Sequence, residues 1–290
     1  MNVQIGFHVS IAGGFPNAVD NALKIGCTAF QIFTRNPRGW AEKVLDARDV
    51  QIFKSKLNHS GINYDAVAVH MPYLPNLSTP NGELYKKSID SLVSEMQRCV
   101  QLEIPNLVIH LGSHLGSGPQ NGINQLVNSI DTATDHSKSS GRKSEGVTFL
   151  LENSAGQKNS IGSKLEDIRS ILDKISSKNV GMCVDTCHAF AAGYDLRTEE
   201  KNADFVDKFD SVIGLDKLRL VHLNDSEKEI GSHVDRHEHI GLGKIGVKGM
   251  SAILKNRKLK GKPIIMETKE DSVRNNVDNL RVALELVESS

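Results

Sequence analysis

The chain has 290 residues, and its 35 basic and 35 acidic side chains give a formal net charge of zero. Bulk charge therefore offers no attraction to nucleic acid or to a membrane surface, although local basic residues or bound divalent cations can still supply one. No stretch reaches the roughly 18 apolar residues that a membrane span requires, and no signal or transit peptide is visible. We therefore expect a cytoplasmic protein without membrane partners. Because the sequence does not reveal the source organism, a nuclear location stays open.

Short apolar runs alternate with segments of helical period along the chain, which predicts strands that alternate with helices. The eight predicted strands are residues 4–9, 28–33, 66–70, 107–110, 147–152, 180–185, 218–222 and 263–267. Apolar stripes at helical spacing predict the buried faces of helices that follow them. These stripes are Ile89, Leu92, Val93, Met96 and Val100; Ile123, Leu126, Val127 and Ile130; Leu165, Ile168, Leu172 and Ile175; Phe205, Phe209, Val212 and Ile213; and, in the last helix, Val273, Val277, Leu280, Leu284 and Val287.

An alternation of this kind gives a parallel sheet. Eight units without a linker-like break favour a single α/β domain over residues 1–290, a closed (β/α)8 TIM barrel, over an open doubly wound sheet. The most polar stretch, residues 137–146, precedes the fifth strand, so we expect a solvated loop at the end of the barrel opposite the functional site. The sparse cysteines of a cytoplasmic protein are expected to be free thiols in or near the core: Cys27, Cys99, Cys183 and Cys187.

Side chains that can bind metal ions end six of the predicted strands or follow them closely. They are His70, His110, Glu152, Asp185, His188, His222, Asp235, His237 and Glu267. Parallel barrels place their sites at the carboxyl ends of the strands, so all of these residues should meet at one rim. Left unpaired in a partly buried barrel mouth, so many polar groups would be costly to desolvate, and bound cations remove that cost.

The number and kind of these residues predict a multinuclear metal site. Since one four-coordinate ion takes three or four protein ligands, the set indicates two or three ions. Mixed imidazole and carboxylate ligands suit Zn²⁺, and also Mn²⁺ or Fe²⁺, and multinuclear sites of this kind hydrolyse phosphate esters. Two other classes of protein stay open: a metal-dependent sugar isomerase or epimerase on the same barrel, and a non-catalytic protein that binds DNA or buffers metal ions.

Several longer motifs carry a resemblance to a known family. They are GFHVSIAGG, FTRNPRGW, LENSAGQ, DTCHAFAAGYDLRT, HLNDSEKEIGSHVDRHEHIG and IMETKED. Through them the chain resembles the endonuclease IV family of apurinic/apyrimidinic (AP) endonucleases, the deoxyribonuclease IV type, from its first strand to its last helix. The resemblance implies a monomeric, xylose isomerase-like TIM barrel with three zinc ions per chain, Mn²⁺ or Fe²⁺ being acceptable at some sites. It also implies a DNA repair hydrolase that cuts duplex DNA 5′ to an abasic site, leaves a 3′ hydroxyl and a 5′ deoxyribose phosphate, and clears blocked 3′ ends.

Carried over by motif, the candidate ligands divide among three ions. The resemblance assigns them in this order: His70, His110 and Glu152; Glu152 again with Asp185, His222 and Glu267; and His188, Asp235 and His237. The implied mechanism is an in-line attack on phosphorus by a hydroxide shared by the two ions that Glu152 bridges, while the third ion stabilises the leaving 3′ oxygen. Glu152, Asp185 and Glu267 are the implied catalytic residues: Glu152 would bridge two ions, and Asp185 and Glu267 would orient that nucleophile.

The resemblance further implies that loops after the early strands contact DNA. Arg38 would enter the minor groove near the lesion, and Tyr73 with Leu74 would fill the gap left by the flipped nucleotide. Such wedging costs unstacking energy, least where a base is already missing. One departure from the family pattern is His233, which stands where an arginine is expected and could weaken a phosphate contact or make DNA binding sensitive to pH.

Overall fold

The structure of the protein, a computed structural model, describes the backbone of residues 3–139 and 146–288 and the side chains of these residues except 137–139. Within this part of the chain, eight parallel strands close into a barrel. In chain order they are β1 Ile5–His8, β2 Ala29–Ile32, β3 Val67–His70, β4 Asn106–His110, β5 Thr148–Glu152, β6 Val180–Asp185, β7 Leu218–His222 and β10 Ile264–Met266. Two shorter strands after β7, β8 Asp225–Ser226 and β9 His237–Glu238, form a separate antiparallel ribbon.

The order around the barrel is β1-β10-β7-β6-β5-β4-β3-β2, so strands that follow one another in the chain are neighbours and the last closes onto the first. The predicted (β/α)8 barrel is therefore confirmed. The eight predicted strands are confirmed as well, with ends that differ from the observed ones by no more than one residue.

Helices surround the barrel. In chain order the described residues contain α1 Pro16–Ile25, α2 Ala47–Ser60, α3 Gly82–Leu102, α4 Pro119–Ser139, α5 Leu165–Lys174, α6 Thr186–Ala191, α7 Glu199–Val212, α8 Gly246–Lys255 and α9 Asn276–Glu288, with short 3-10 helices at Tyr64–Ala66 and Arg257–Leu259. None of the described helices combines the length and apolarity needed to cross a membrane.

Most predicted apolar stripes face the barrel, but the last one is wrong in part. Val273 precedes α9 and is 62% exposed, and within α9 Val277 and Leu284 are 51% and 40% exposed. The buried face of α9 is narrower and centres on Leu280 and Ala283. A helix on the outside of a barrel needs only one stripe against its neighbours, so apolar residues beside that stripe can stay in solvent.

The polar stretch at 137–146, predicted as a loop, does not begin as one. Residues 137–139 continue α4, residues 140–145 lie outside the described part of the chain, and Gly146 is in a turn before β5. The four cysteines are free and buried, as predicted.

The barrel interior is narrow and is filled by small and branched side chains from the strands, among them Ala29, Ala68, Val108 and Leu150. Gly6 shows how closely the strands approach, because a Cβ there would lie 1.7 Å from the carbonyl oxygen of Ala29. Because these residues fill the interior, the space for polar functional side chains is at the carboxyl ends of the strands.

A buried aspartate fixes the long loop after β7. Asp225 Oδ1 accepts the backbone N–H of Ile245 at 3.0 Å, and its Oδ2 accepts those of Gly241 at 3.1 Å and Gly243 at 3.0 Å. Because a buried carboxylate needs such donors, Asp225 binds the far end of this loop to its start. The loop therefore folds back over the mouth of the barrel and carries the D-x-H pattern with it.

Candidate metal centre

All of the candidate ligands lie together at one end of the barrel. Five of them end strands directly: His70 in β3, His110 in β4, Glu152 in β5, Asp185 in β6 and His222 in β7. Asp185 also accepts the backbone N–H of His188 at 2.7 Å, so it caps the short helix α6 that carries this histidine. Glu267 lies just after β10, His237 begins β9, and Asp235 lies two residues before His237.

Glu152 lies at the centre of this group and is 2% exposed. Its Oε2 is 3.1 Å from His70 Nε2 and 3.2 Å from His110 Nε2. Its Oε1 is 3.1 Å from His222 Nδ1. The two oxygens therefore face two different sets of histidines, as the predicted bridging role requires.

A second set forms around His222. Its Nδ1 is 3.5 Å from Glu267 Oε2 and 3.9 Å from Asp185 Oδ2. One ligand atom from each of Glu152, Asp185, His222 and Glu267 lies within 4.8 Å of the others. This grouping coincides with the second predicted set of ligands.

Asp235 contacts both histidines of the third predicted set through different oxygens, while one ligand atom from each of Asp185, His188 and His237 lies within 4.8 Å of the others. Asp235 Oδ2 is 3.2 Å from His188 Nε2, and Asp235 Oδ1 is 3.3 Å from His237 Nε2. Asp185 Oδ2 also lies 3.6 Å from His237 Nε2, so this aspartate is within reach of two sets. The Cys187 sulfur is close as well, but burial raises the pKa of its thiol, and a protonated thiol is a poor metal ligand.

Backbone carbonyls orient three of the histidine rings. The Nδ1 atoms lie 2.7 Å from the carbonyl oxygen of Met71 for His70, 2.9 Å from that of Asn153 for His188, and 3.3 Å from that of Glu267 for His237. A carbonyl only accepts, so each Nδ1 carries the proton and each neutral ring keeps its lone pair on Nε2. This is the arrangement by which proteins prepare histidines as metal ligands.

No permanent cation balances these carboxylates. Among the described residues, their ion pairs are formed with histidines, and neither lysine nor arginine contributes one. Burial acts to raise the pKa of Glu152, but His222 and His110 outweigh burial and hold that pKa well below its usual range. Burial likewise opposes a charge on His237, yet Asp235 and Asp185 raise its pKa to about 9.

These features fit a cluster of bound metal ions. His237 Nε2 is buried and has no hydrogen-bond partner, although it faces two carboxylates. Lone pairs of imidazole and carboxylate that face one another repel unless a proton or a metal ion lies between them. The donor set of histidines and carboxylates is the kind that holds zinc, manganese or iron.

A cavity of 310 Å³ lies beside the cluster. Its lining includes Glu152, His188, Tyr73, Leu74 and Lys158. Tyr73 is 55% exposed and Leu74 is 37% exposed, so both present apolar surface at the mouth of the barrel. The cavity thus joins the predicted ligands to the predicted DNA-wedging residues.

The predicted minor-groove residue lies on the neighbouring loop. Arg38 is exposed and follows Pro37, whose carbonyl oxygen accepts the backbone N–H of Tyr73 at 3.1 Å. The Tyr73 ring also contacts Phe33 edge-on, with ring centroids 5.2 Å apart. The loops that carry Arg38 and Tyr73 are therefore held side by side.

His233, the departure from the family pattern, forms hydrogen bonds with neighbouring segments of the chain. Its backbone is left-handed, with φ of 54°, and its N–H donates to the carbonyl oxygen of Ala191 at 3.0 Å. Its Nδ1 lies 3.1 Å from the carbonyl oxygen of Ala155, beside Gly156. The ring therefore packs on the LENSAGQ segment.

Two residues at the site were missed by the sequence reasoning. Gln31 is fully buried and contacts both His222 and Glu267, and Lys158 lines the cavity. A polar residue within the apolar run AFQIF was a signal for Gln31. Lys158 gave none, because a lysine in a polar loop is usually a solvated charge.

The fold is a closed barrel with histidines and carboxylates at its strand ends, and comparison with known protein families identifies the class to which such a barrel belongs. The family described as "Xylose isomerase-like TIM barrel" matches residues 19–289. Among similar proteins, the probable endonuclease 4 of Nitrosopumilus maritimus is 49% identical over 284 residues, which cover 98% of this chain and 99% of that protein. The corresponding protein of Methanosphaerula palustris is 48% identical over 285 residues, 98% of each chain. The chain belongs to the endonuclease IV family.

Solved structures agree with this assignment. The crystal structure of endonuclease IV from Thermus thermophilus superposes with a TM-score of 0.85 at 33% identity, covering 98% of this chain and 99% of that one. A D-tagatose 3-epimerase-like protein superposes with a TM-score of 0.74 at 18% identity. The second likeness shows a shared fold alone and gives no support to a sugar substrate.

Proposed function

We propose that this protein is an AP endonuclease that hydrolyses the phosphodiester bond 5′ to an abasic site in duplex DNA and leaves a 3′ hydroxyl and a 5′ deoxyribose phosphate. A DNA-cleaving hydrolase is the class of enzyme to which the endonuclease IV relatives belong. The observation that carries the proposal is the convergence of four buried or half-buried carboxylates and five histidines. Neither lysine nor arginine forms an ion pair with these carboxylates in the described part of the chain, and the group lies beside a cavity lined by exposed Tyr73 and Leu74. Removal of blocked 3′ ends is proposed for the same site.

The residues present would hold three metal ions, with zinc as the expected metal and Mn²⁺ or Fe²⁺ as acceptable substitutes. The proposed sets are His70, His110 and Glu152; Glu152, Asp185, His222 and Glu267; and His188, Asp235 and His237. When bound, such ions supply a nucleophile at neutral pH and neutralise charge on the phosphate and the leaving oxygen.

The chain's own residues prepare this site in three ways. Glu152, through its two oxygens, links the His70 side of the cluster to the His222 side. Asn224 donates its side-chain N–H to Asp185 Oδ2 at 2.7 Å and accepts the backbone N–H of Glu267 at 2.8 Å, which fixes the spacing of these two carboxylates. His110, Glu152, His188 and Asp235 line the cavity, so a phosphodiester that enters the cavity reaches the candidate ligands directly.

Recognition of DNA is proposed for the rim of that mouth. Tyr73 and Leu74 present apolar surface that can replace a missing base in the stack. Arg38, on the loop held against Tyr73, can enter the adjacent minor groove. Lys158 is exposed and forms no salt bridge within the described part of the chain, so its charge is available to a DNA phosphate. These local cations would give a chain of zero net charge an attraction to DNA.

The test is incision of a duplex oligonucleotide that carries one synthetic abasic site. Wild-type protein and Glu267→Gln would be compared, and the metal content would be measured on the same samples. We expect cleavage 5′ to the lesion with close to three metal ions per chain, and loss of cleavage in the variant and after strong chelation. Fully metallated protein that leaves the abasic duplex intact would overturn the proposal, and sugar substrates of an isomerase or epimerase would then be tested.

A further inference from the structure

Gln31 is a glutamine in the third position of β2, a strand whose other residues are apolar. It is 0% exposed. An amide that is buried this completely costs free energy unless its N–H and C=O groups are paired. Gln31 pairs them with side chains at the mouth of the barrel, namely Glu267, His222 and His8. A residue outside the proposed ligand sets therefore connects two of the proposed ligands.

Chemistry fixes the orientation of the Gln31 amide. The Glu267 carboxylate only accepts hydrogen bonds, so the amide nitrogen must be the atom that lies 2.8 Å from Glu267 Oε1. The amide oxygen then lies 3.0 Å from His222 Nε2. Since that oxygen can only accept, the proton of His222 must be on Nε2. The second N–H of the amide donates to His8 Nδ1 at 3.0 Å.

His222 is therefore protonated on the opposite nitrogen from its neighbours. His70, His188 and His237 have their Nδ1 atoms against backbone carbonyls. His222 presents Nδ1 to the carboxylates and has its Nε2 against the side chain of Gln31. A substitution cannot remove a backbone carbonyl, but it can remove the amide of Gln31. Among these four rings, His222 is thus the one whose orientation depends on a replaceable partner.

We propose that Gln31 is a positioning residue of the metal centre, which holds His222 with Nδ1 free and holds Glu267 by Oε1. The remaining atoms of both residues then face the same space: His222 Nδ1 lies 3.5 Å from Glu267 Oε2 and 3.1 Å from Glu152 Oε1. Gln31 itself binds neither metal nor DNA. This inference rests on the proposed metal-dependent function and identifies which residue of β2 prepares the second set of ligands.

The direct test is Gln31→Met, which keeps the length of the side chain and removes its hydrogen bonds. We expect the dissociation constant for zinc, measured by competition with a chromophoric chelator, to rise by about 10- to 100-fold, as is usual when a partner of a metal ligand is lost. With zinc in excess, kcat for incision should fall while KM for abasic duplex changes little, because no DNA contact is altered.

A matched control separates positioning from general damage to the fold. Asn106 is another buried amide, 2% exposed, at the opposite end of the barrel, where it donates to the carbonyl oxygens of Asp65 at 3.0 Å and Val67 at 3.1 Å. Asn106→Leu should lower the free energy of unfolding and leave zinc affinity unchanged. Equal losses of zinc affinity in both variants would overturn the positioning role.

A spectroscopic measurement reports on the hydrogen bond itself. In zinc-loaded wild-type protein labelled with ¹⁵N-histidine, we expect the ring proton of His222 on Nε2, at a downfield position that moves upfield in Gln31→Met. If Gln31→Met does not fold, the wild-type spectrum still decides, because a proton on Nδ1 of His222 contradicts the assignment.

The two proposals fail separately. If wild-type protein binds zinc but does not incise abasic duplex, the proposed function is contradicted. The role of Gln31 is then still tested by the zinc affinities and the His222 spectrum. Wild-type protein that incises, together with a Gln31→Met variant that binds zinc as tightly as wild type, contradicts the role of Gln31 alone.

Discussion

Two regions of this molecule bury carboxylates, and they balance the charge in different ways. At the mouth of the barrel, Glu152 is surrounded by histidines. Between α3 and the loop after β2, Glu95 is 0% exposed and meets Arg35, whose Nε lies 2.8 Å from Glu95 Oε1. Arg35 also pairs with Glu42. We call this second region the arginine cluster and define it by Arg35, Glu42, Glu95 and Arg98.

The arginine cluster balances the charge of its buried carboxylate without any ligand. Thr34 Oγ1 donates to Glu95 Oε2 at 2.5 Å, and Arg98 donates to the carbonyl oxygen of Thr34 at 3.1 Å. A guanidinium keeps its charge at every accessible pH, so the positive charge in this cluster is permanent. An imidazole gains or loses its proton near neutral pH, so the mouth of the barrel lacks a permanent cation.

This difference separates a structural ion cluster from a cation site. Both regions have buried carboxylates with close partners, and burial alone does not distinguish them. The arginine cluster attaches the loop of Arg38 to α3, whereas the mouth presents lone pairs to a space that metal ions can occupy. Substitutions in the two regions should therefore affect different properties of the protein.

The largest effect on activity is expected for Glu152→Gln. This change removes the carboxylate that faces both His70 and His222. Loss of several kcal/mol of transition-state stabilisation would slow incision on the order of 10³-fold or more, and fewer metal ions should remain bound. The measurements are the rate of abasic-site incision and the metal content per chain. The paired control is Glu95→Gln in the arginine cluster, for which we expect wild-type metal content; an equal loss of metal in both variants would remove the distinction between the two regions.

The next effect is on stability and concerns Arg35→Met. Removing one partner of a buried ion pair leaves Glu95 uncompensated and should lower the free energy of unfolding by about 3–5 kcal/mol, with metal content preserved. Burial already raises the pKa of Glu95, against the Thr34 hydroxyl and Arg35, and loss of Arg35 should raise it further.

The sign of the pH dependence follows from that raised pKa. When Glu95 is protonated in both states, at low pH, the variant loses little from the missing guanidinium. As the pH rises above the pKa that Glu95 has in the unfolded chain, Glu95 in the folded variant must either keep its proton or carry a buried, unpaired charge. The destabilisation caused by Arg35→Met therefore grows with pH. Denaturant unfolding at pH 5 and pH 8 measures this, with the double variant Arg35→Met/Glu95→Gln as control. A destabilisation that is the same at both pH values would contradict the assigned cause.

The fold and the positions of the candidate ligands could be predicted because a parallel barrel imposes simple rules. The strands are buried on both faces, so they stand out as apolar runs, and their carboxyl ends must meet at one rim. His70, His110 and Glu152 were found because each directly ends a strand. Their roles as ligands stay a prediction that the distances between them support.

The other features of the site and fold could not be predicted, because they depend on contacts that local sequence does not encode. Gln31 meets Glu267 and His222 across separations of 236 and 191 residues, after the barrel has closed. The ribbon of β8 and β9 has strands of two residues, too short for an alternating pattern to be recognised. The exposed Val277 of α9 shows the converse error, because helical spacing alone does not tell how wide the buried face is.

A moderate effect is expected for Tyr73→Ala, which acts on DNA and on neither buried cluster. Loss of an aromatic ring that stacks on nucleic acid bases weakens binding by about 1–3 kcal/mol, roughly 5- to 150-fold. The affinity for abasic duplex should therefore fall while metal content and unfolding stay as in wild type. Tyr73→Phe keeps the ring and should bind nearly as wild type; a loss as large in this control would show that the hydroxyl, not stacking, is responsible.

The smallest expected effect tests whether the cavity cation acts as a DNA contact. Lys158→Ala removes one exposed charge beside the cavity and leaves both buried clusters intact. If this lysine neutralises one phosphate, binding of abasic duplex should weaken and the slope of log affinity against log salt concentration should become shallower by about 1. Lys260→Ala is the matched control, because Lys260 is exposed and precedes β10, at the opposite end of the barrel. The same salt slope in wild type and Lys158→Ala would show that the DNA path does not pass over this lysine.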